Sequence, residues 1–416
     1  MNQDQISHLV ISIDELWLKG KNRDIYLRAA IDHIAAVLRI YHFEKCSYKF
    51  QSERLYYHSN TSFSDELIQA LTYVPGLAYI SRCKMLERLP DESLENVYAA
   101  ILKDLSFLDN KAVTFRAIVK RVDKSFSKTS VYIGREVGHR VITRYPLTKV
   151  DLKKAELVVD VRILAKHVSI STESKKGIGG LPWGTTGSAV TMLSGGFDSP
   201  VASFLMAKRG VKQSFVFFHA YPFVGYEVLT KIKSLVAQLA KFQRQTHLYI
   251  IPFGDIQKII SKECHEEYRT LVFRRFMIEI SNLICEKSKV DAIITGDCIG
   301  QVSSQTMQNL NLMDKISSRM ILRPLVGFNK IEILNLASAI NTHDISKIPH
   351  DDACEMFASK NPILNPNLDY WKNWDKDFDI GQELTVALEK AEIYSVNLKG
   401  EFFKKNAFSF DALASI

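Results

Sequence analysis

Thr191-Met-Leu-Ser-Gly-Gly-Phe-Asp-Ser-Pro-Val-Ala-Ser-Phe-Leu-Met-Ala-Lys-Arg-Gly210 narrows the choice of fold more than any other stretch of this chain. Ala189 to Leu193 is a short apolar run of strand type, and Val201 to Lys208 has helical spacing that ends at Gly210. Between them, Ser194 to Ser199 is small and polar, so the order is strand, loop, helix. Unpaired N–H groups and the positive end of the helix dipole make such a loop a site for phosphate or pyrophosphate. Gly195 and Gly196 let the backbone approach an anion, and Ser194 and Ser199 add hydroxyl donors. No Gly-Lys-Ser/Thr closes the loop, so it is not a Walker A motif. A bare Ser-Gly-Gly also occurs in ordinary turns. Asp198, a carboxylate inside an anion site, fits a magnesium- or substrate-orienting group better than a turn.

Downstream, strand-like Lys212 to Phe218, His247 to Phe253 and Asp291 to Asp297 alternate with helical runs over Glu227 to Phe242 and Tyr268 to Lys287. The alternation predicts an α/β doubly wound parallel sheet covered by helices, with ligands at the carboxyl ends of the strands. Ser194 and Gly296 both fall at such ends and can face one pocket. The stripe Val228, Ile232, Leu235, Val236 and Leu239 reads as core.

A length of 416 residues suggests two or three domains. Residues 1–60 read as a small α+β unit, with a helix over Arg23 to Tyr41 and one strand over Tyr48 to Tyr57. Residues 61–173 form a second α+β unit, and 174–187, with five glycines and a proline, read as a linker lying near the catalytic mouth. Residues 188–416 form the α/β domain and finish in a polar helical tail.

The net charge of +8 is unevenly spread: residues 111–176 hold 16 Lys and Arg against 6 Asp and Glu. A charge run is commonly a solvated face. A surplus this local, placed ahead of a nucleotide site, favours a polyanion partner. Arg116, Lys120, Arg121, Lys124 and Lys128, interleaved with small and aromatic residues, suit phosphate contacts. Lys19, Lys21 and Arg23 could do the same, although solvent exposure explains them equally well. No apolar run reaches the roughly 18 residues of a membrane helix, and the polar N-terminus has no secretory core. A cytoplasmic protein is expected. Six cysteines without a Cys-x-x-Cys pair argue against a zinc knuckle or disulfide scaffold, and no metal-ligand set is expected.

Ser194-Gly-Gly-Phe-Asp-Ser199 resembles the PP-loop of the ATP pyrophosphatases, which split ATP between its α and β phosphates. The segment Phe115 to Ser130 resembles the THUMP RNA-binding module, and Asp14 to Arg23 the ferredoxin-like domain that precedes it in RNA-modifying enzymes. Together with Lys176 to Gly184, Thr295 to Thr306 and Leu322 to Lys330, these segments are similar, in order, to the tRNA 4-thiouridine synthetases (tRNA sulfurtransferases). The resemblance runs over essentially the whole chain. It implies ferredoxin-like and THUMP domains followed by a PP-loop domain. In that family ATP adenylates O4 of uridine 8 in tRNA, and a persulfide sulfur supplied by a cysteine desulfurase then displaces AMP.

The resemblance implies an ATP site of Met192, Leu193, Ser194, Gly195, Gly196, Ser199, Phe217, Phe218, Arg274, Gly296 and Gln305, with Mg²⁺ as cofactor. Asp198, Lys330 and Cys354 take the catalytic roles. Taken by itself, Lys330 at a helix start reads as an ordinary surface lysine, and Cys354 beside Asp351, Asp352 and Glu355 would have its thiolate disfavoured. A functional lysine and a sulfur-carrying cysteine stand at these positions in the family. This chain departs from the family in having one cysteine where several relatives have two, Asp297 where Glu is commoner and Phe217 for a frequent His, and the rhodanese domain of some members is expected to be absent. Cys264, Cys285 and Cys298 are left as alternative thiols. A homodimer and a second role in thiamine synthesis are further expectations from the family. Against these stand a PP-loop ligase or amidotransferase acting on a small molecule, and a non-enzymatic RNA-binding protein.

Overall fold

The first helix buries Ala30, His33, Ile34, Val37 and Leu38, the i, i+3, i+4, i+7 spacing of a one-sided helix. It belongs to a computed structural model that describes residues 7–349, 359, 361–367, 378 and 380–405. The chain divides into two units, Met1–Leu181 and Pro182–Ile416.

In the first unit the elements run β1 (Ser7–Ile13), α1 (Arg23–Ile40), β2 (Ser47–Gln51), β3 (Arg54–Ser59), α2 (Asp65–Thr72), β4 (Leu77–Glu87), α3 (Glu95–Asp104) and β5 (Thr114–Arg121). There follow α4 (Ser130–Arg144), β6 (Lys149–Val150), β7 (Leu157–Ile163), β8 (His167–Ser171) and β9 (Lys175–Lys176). Tyr48 to Tyr57, expected as one strand, is a hairpin. Ser52 and Glu53 turn it with φ of 53° and 64°, the left-handed pair whose twist matches the flanking strands. Ser64 and Thr129 cap α2 and α4 by accepting from the N–H groups of Leu67 and Tyr132. The sheet order is β2-β3-β1-β4-β8-β7-β5-β6. β4 pairs with β1 along Leu77 to Cys83 and with β8 along Lys84 to Glu87, so one sheet runs through the expected boundary.

Residues 175–180 of the glycine-rich stretch are knitted into this unit. Lys175–Lys176 pairs with β4, and the Gly180 N–H donates to Asp14 Oδ2 at 2.8 Å. A Cβ on Gly177 would stand 2.2 Å from the Leu77 carbonyl oxygen, and one on Gly179, at φ +68°, 2.5 Å from Asp14 Oδ2. Glycine is what allows this approach.

The second unit comprises β10 (Ser188–Met192), α5 (Asp198–Lys208), β11 (Lys212–His219), α6 (Glu227–Ala240), β12 (Thr246–Pro252), α7 (Gly254–Glu263), α8 (Arg269–Ser288) and β13 (Ala292–Ile294). Its remaining elements are α9 (Met307–Ile316), β14 (Met320–Leu322), α10 (Lys330–Ala339), α11 (His343–Lys347), α12 (Gly381–Glu389), β15 (Glu392–Val396) and β16 (Phe402–Lys405). The sheet order β14-β13-β10-β11-β12-β15-β16 is parallel as far as β12. The connections leave β10 in opposite directions, to β11 and later to β13, which makes a switch point at the carboxyl ends of β10 and β13. The expected helical tail is corrected as far as residue 405, and residues 406–416 lie outside the described residues. α12 is followed by β15, which lies antiparallel to β12, and by β16. The β-branched and aromatic residues Ile393, Tyr394 and Val396 are the overlooked signal.

For residues 182–187, the expected position near the catalytic mouth is corrected as well. Gly187 accepts from the Lys212 N–H, which places it at the amino ends of β10 and β11, opposite the switch point. Beyond this, Trp183 anchors by donating from Nε1 to Gln243 Oε1 at 2.6 Å.

Candidate active site

β10 ends at Met192, and residues 193–197 carry the chain to α5. The loop is braced from within, because the Ser194 N–H donates to Ser199 Oγ at 2.9 Å. Facing it, Gly296 leaves β13 so close that a Cβ there would stand 2.7 Å from Ser199 N and 2.9 Å from the Asp198 carbonyl carbon. Only a glycine lets β13 deliver its loop against the start of α5.

Between these loops lies a cavity of about 280 Å³. Met192, Leu193, Ser194, Gly195, Asp198, Ser199, Phe217, Phe218, Arg274, Gly296 and Gln305 line it, so the structure brings these expected residues together. Gly196 belongs to the same loop but does not line the cavity. The sequence reading missed Val224, Met277 and Thr295, which also line it. Met277 recurs one turn after Arg274 on α8, a spacing that could have revealed it.

Arg274 is fixed by an acid that the sequence singled out only as a departure from the family. Its Nη2 donates to both oxygens of Asp297, at 2.7 and 2.8 Å, and its Nη1 to the Ser304 carbonyl at 3.2 Å. Asp297 also accepts from Thr295 Oγ1 at 2.8 Å and from Arg323 Nε at 3.3 Å. Burial alone would raise this carboxyl, but Arg274, Thr295 and Arg323 outweigh it and hold the group below the ordinary carboxylate range. Arg323 also donates from Nη1 to Asp314 Oδ1 at 2.7 Å, so the two arginines are matched by two carboxylates and Asp297 is held as a paired, buried charge.

Asp198, at the first position of α5, accepts from Lys330 Nζ at 3.2 Å and from Gln301 Nε2 at 2.9 Å. Asn329 caps α10 in a reciprocal capping box with Glu332, fixing the turn that presents Lys330. The lysine therefore sits at a helix start, where the dipole disfavours a cation, and Asp198 offsets that. Gln301 was missed although it lies inside the quoted Thr295 to Thr306 motif. Asp198 is also the one cavity-lining carboxylate, among the described residues, not enclosed by arginines, and it suits a magnesium ion that keeps phosphate and water ligands. No cluster of three metal-ligating side chains occurs among the described residues.

Cys354 lies outside the described residues. Burial pushes the Cys264 and Cys285 thiols up to about 12. Cys298 donates to the Phe328 carbonyl at 2.9 Å, and burial followed by the Asp198 charge raises its thiol. In all three the surroundings favour the thiol over the thiolate.

On the first unit, the expected basic residues fall into two groups. Lys19 and Lys21 lie on the 3-10 segment Leu16–Asn22, Lys19 over the Tyr26 ring at 4.6 Å, and Arg23 stacks on Phe50 at 5.4 Å. On β5, Phe115 is buried and Ala117 and Val119 pack against the core, so Arg116, Ile118 and Lys120 occupy the other face. Arg116 donates to the Leu152 carbonyl and Arg121 to the Phe126 carbonyl, so both also brace loops. Lys120 and Lys124 are exposed, and Lys128 is half-buried.

Residues 8–81 match the ThiI ferredoxin-like domain, 91–173 the THUMP domain and 184–380 the Thiamine biosynthesis protein (ThiI). The chain is 34% identical over 394 residues to a "probable tRNA sulfurtransferase" of Finegoldia magna, covering 94% of this chain and 98% of that protein. The chain belongs to the tRNA sulfurtransferase family. A second member of the family, from Brevibacillus brevis, is 33% identical over 399 residues, covering 96% of this chain and 98% of its own. Among solved structures, a 4-thiouridine synthetase–RNA complex with bound ATP superposes with a TM-score of 0.82 at 28% identity, covering 94% of this chain and all of that one. PH1313 of Pyrococcus horikoshii shares the fold, with a TM-score of 0.59 at 20% identity over 80% of this chain and 99% of its own. No helix among the described residues is long and apolar enough to cross a membrane.

Proposed function

We propose that this chain is an ATP-dependent tRNA uracil 4-sulfurtransferase whose adenylation site is the cavity at the switch point. The Asp198–Lys330 pair at the mouth of an anion-binding loop carries the reading, because it sets a cation beside the place where phosphate charge must change. Backbone N–H groups at the start of α5 receive the triphosphate, Gly296 admits it, and Phe217 and Phe218 border the space for the base. Mg²⁺, held by Asp198 and phosphate oxygens, would neutralise charge on the leaving pyrophosphate.

Uridine O4 attacks the α phosphorus, the bond to pyrophosphate breaks, and C4 then carries an adenylate. A sulfur borne as a persulfide attacks C4, the C4–O4 bond breaks, and AMP leaves with the oxygen. A second thiol attacks the S–S bond and frees the sulfur from its carrier. Cys354 is the proposed carrier and a cysteine desulfurase the proposed donor. Lys330 neutralises charge on the α-phosphate as it develops. The basic residues of the first unit hold the tRNA through its phosphates.

Incubation with tRNA, ATP, Mg²⁺ and sulfide tests the reading. AMP and thiouridine absorbance are expected in equal amounts, and the absence of both overturns it.

A further inference from the structure

α6 carries two polar residues on its buried face, and both hold the segment that touches the phosphate loop. Lys231 is 3% and Gln238 7% exposed. Seven residues apart, they share one face of the helix. Gln238 Nε2 donates to the Ile340 carbonyl at 2.7 Å, where α10 ends. Lys231 Nζ donates to the carbonyls of Ser346 and Ile348, at 2.8 and 2.7 Å, at the end of α11. A buried ammonium is costly unless its hydrogen bonds are met, so these contacts hold α11 firmly.

From α11, Ser346, itself 6% exposed, donates its Oγ to the Gly196 carbonyl at 3.0 Å. The neighbouring Phe197 ring lies 5.4 Å from the His343 ring. In a trans peptide the C=O of one residue and the N–H of the next point in opposite directions. Tying the Gly196 carbonyl to α11 therefore turns the Phe197 N–H away from α11. That N–H, which has no acceptor among the described residues, joins the unpaired N–H groups of Asp198 and Ser199 at the start of α5. A loop of two glycines is otherwise free to flip this peptide.

We propose that Ser346 is a positioning residue for the phosphate loop, held in place by Lys231, and that it fixes the Gly196–Phe197 peptide so that its N–H serves the pyrophosphate end of ATP. The inference rests on the functional reading above. It predicts a split between two nucleotides, because ATP carries the phosphates that meet this N–H and AMP lacks them.

The test is titration of wild type, Ser346→Ala and Ser346→Thr with ATP and with AMP, alongside thermal unfolding. Ser346→Ala should weaken ATP about tenfold, leave AMP within about twofold, and keep the wild-type Tm, while Ser346→Thr, which retains the hydroxyl, restores ATP. Equal weakening of both nucleotides, or no weakening of either, overturns the positioning role while the functional reading stands. A wild-type protein that binds neither nucleotide overturns the reading and this inference with it.

Discussion

Lys330 Nζ lies 3.2 Å from Asp198 Oδ1 although 132 residues separate the two in the chain. One residue opens α10 and the other opens α5, so two helix starts meet at a single ion pair. Their side chains are 48% and 24% exposed, so solvent screens the pair and its stake in stability is small. Under the proposed function its value lies in catalysis. Lys330→Met and Asp198→Asn should each lower AMP formation about 100-fold or more, with unfolding midpoints close to wild type. A double variant no worse than the poorer single would show that the two act as a unit. Additive losses would separate them.

Gly296 gives a sharper steric prediction. The atoms a new Cβ would meet are backbone atoms of Asp198 and Ser199, which cannot rotate away. Gly296→Ala should displace the loop and cost about 100-fold in adenylation, with about 1–3 kcal/mol of stability lost to overpacking. ATP titration and urea unfolding of the same sample measure both. An active, wild-type-like Gly296→Ala would refute the close approach.

His247 on β12 sets a limit on acid tolerance. Burial, with Lys405 and Lys212 nearby, lowers its pKa to about 4 from 6.5. A folded-state value below the unfolded one contributes stability above pH 6.5, and that contribution is lost as pH falls toward 4. The loss for this one group is about 2 kcal/mol by pH 5. Urea unfolding at pH 7 and pH 5 should show it for wild type and much less of it for His247→Gln. Equal pH dependence in the two proteins would assign the acid limb elsewhere.

Lys120 and Lys124 test the basic face. Each alanine replacement should weaken tRNA binding and reduce the dependence of log affinity on log salt by about one ion. Unchanged slopes would remove them from the interface. Arg121→Ala is a contrasting case, since its guanidinium closes the loop on the Phe126 carbonyl, and here a loss of stability should accompany any loss of binding.

Much of the second unit was legible from sequence because its strands are short apolar runs set between amphipathic helices. The two loops at the switch point followed from that order alone. What sequence could not show was partnership over distance. Asp297 meets Arg274 from 23 residues away and Arg323 from 26. No local pattern marks either pair. Lys231 and Gln238 interrupt the apolar stripe read on α6, and such interruptions ordinarily point outward. Here they point inward because main-chain carbonyls of residues 340, 346 and 348 receive them. The hairpin at Ser52–Glu53 escaped because neither residue is the Asn or Gly that such turns favour.

β15 lies against β12 with its direction reversed, and β16 follows on its outer side. β12 is almost wholly buried, and without that cover its backbone would be an unpaired apolar edge. The residues that seal it are made more than 140 positions after it, so during synthesis β12 must wait, exposed and adhesive, for residues 392–396 to leave the ribosome. This unit thus completes its sheet after translation has passed every residue proposed for catalysis, and a nascent chain stalled short of residue 392 holds the proposed nucleotide loop on a sheet still open to aggregation.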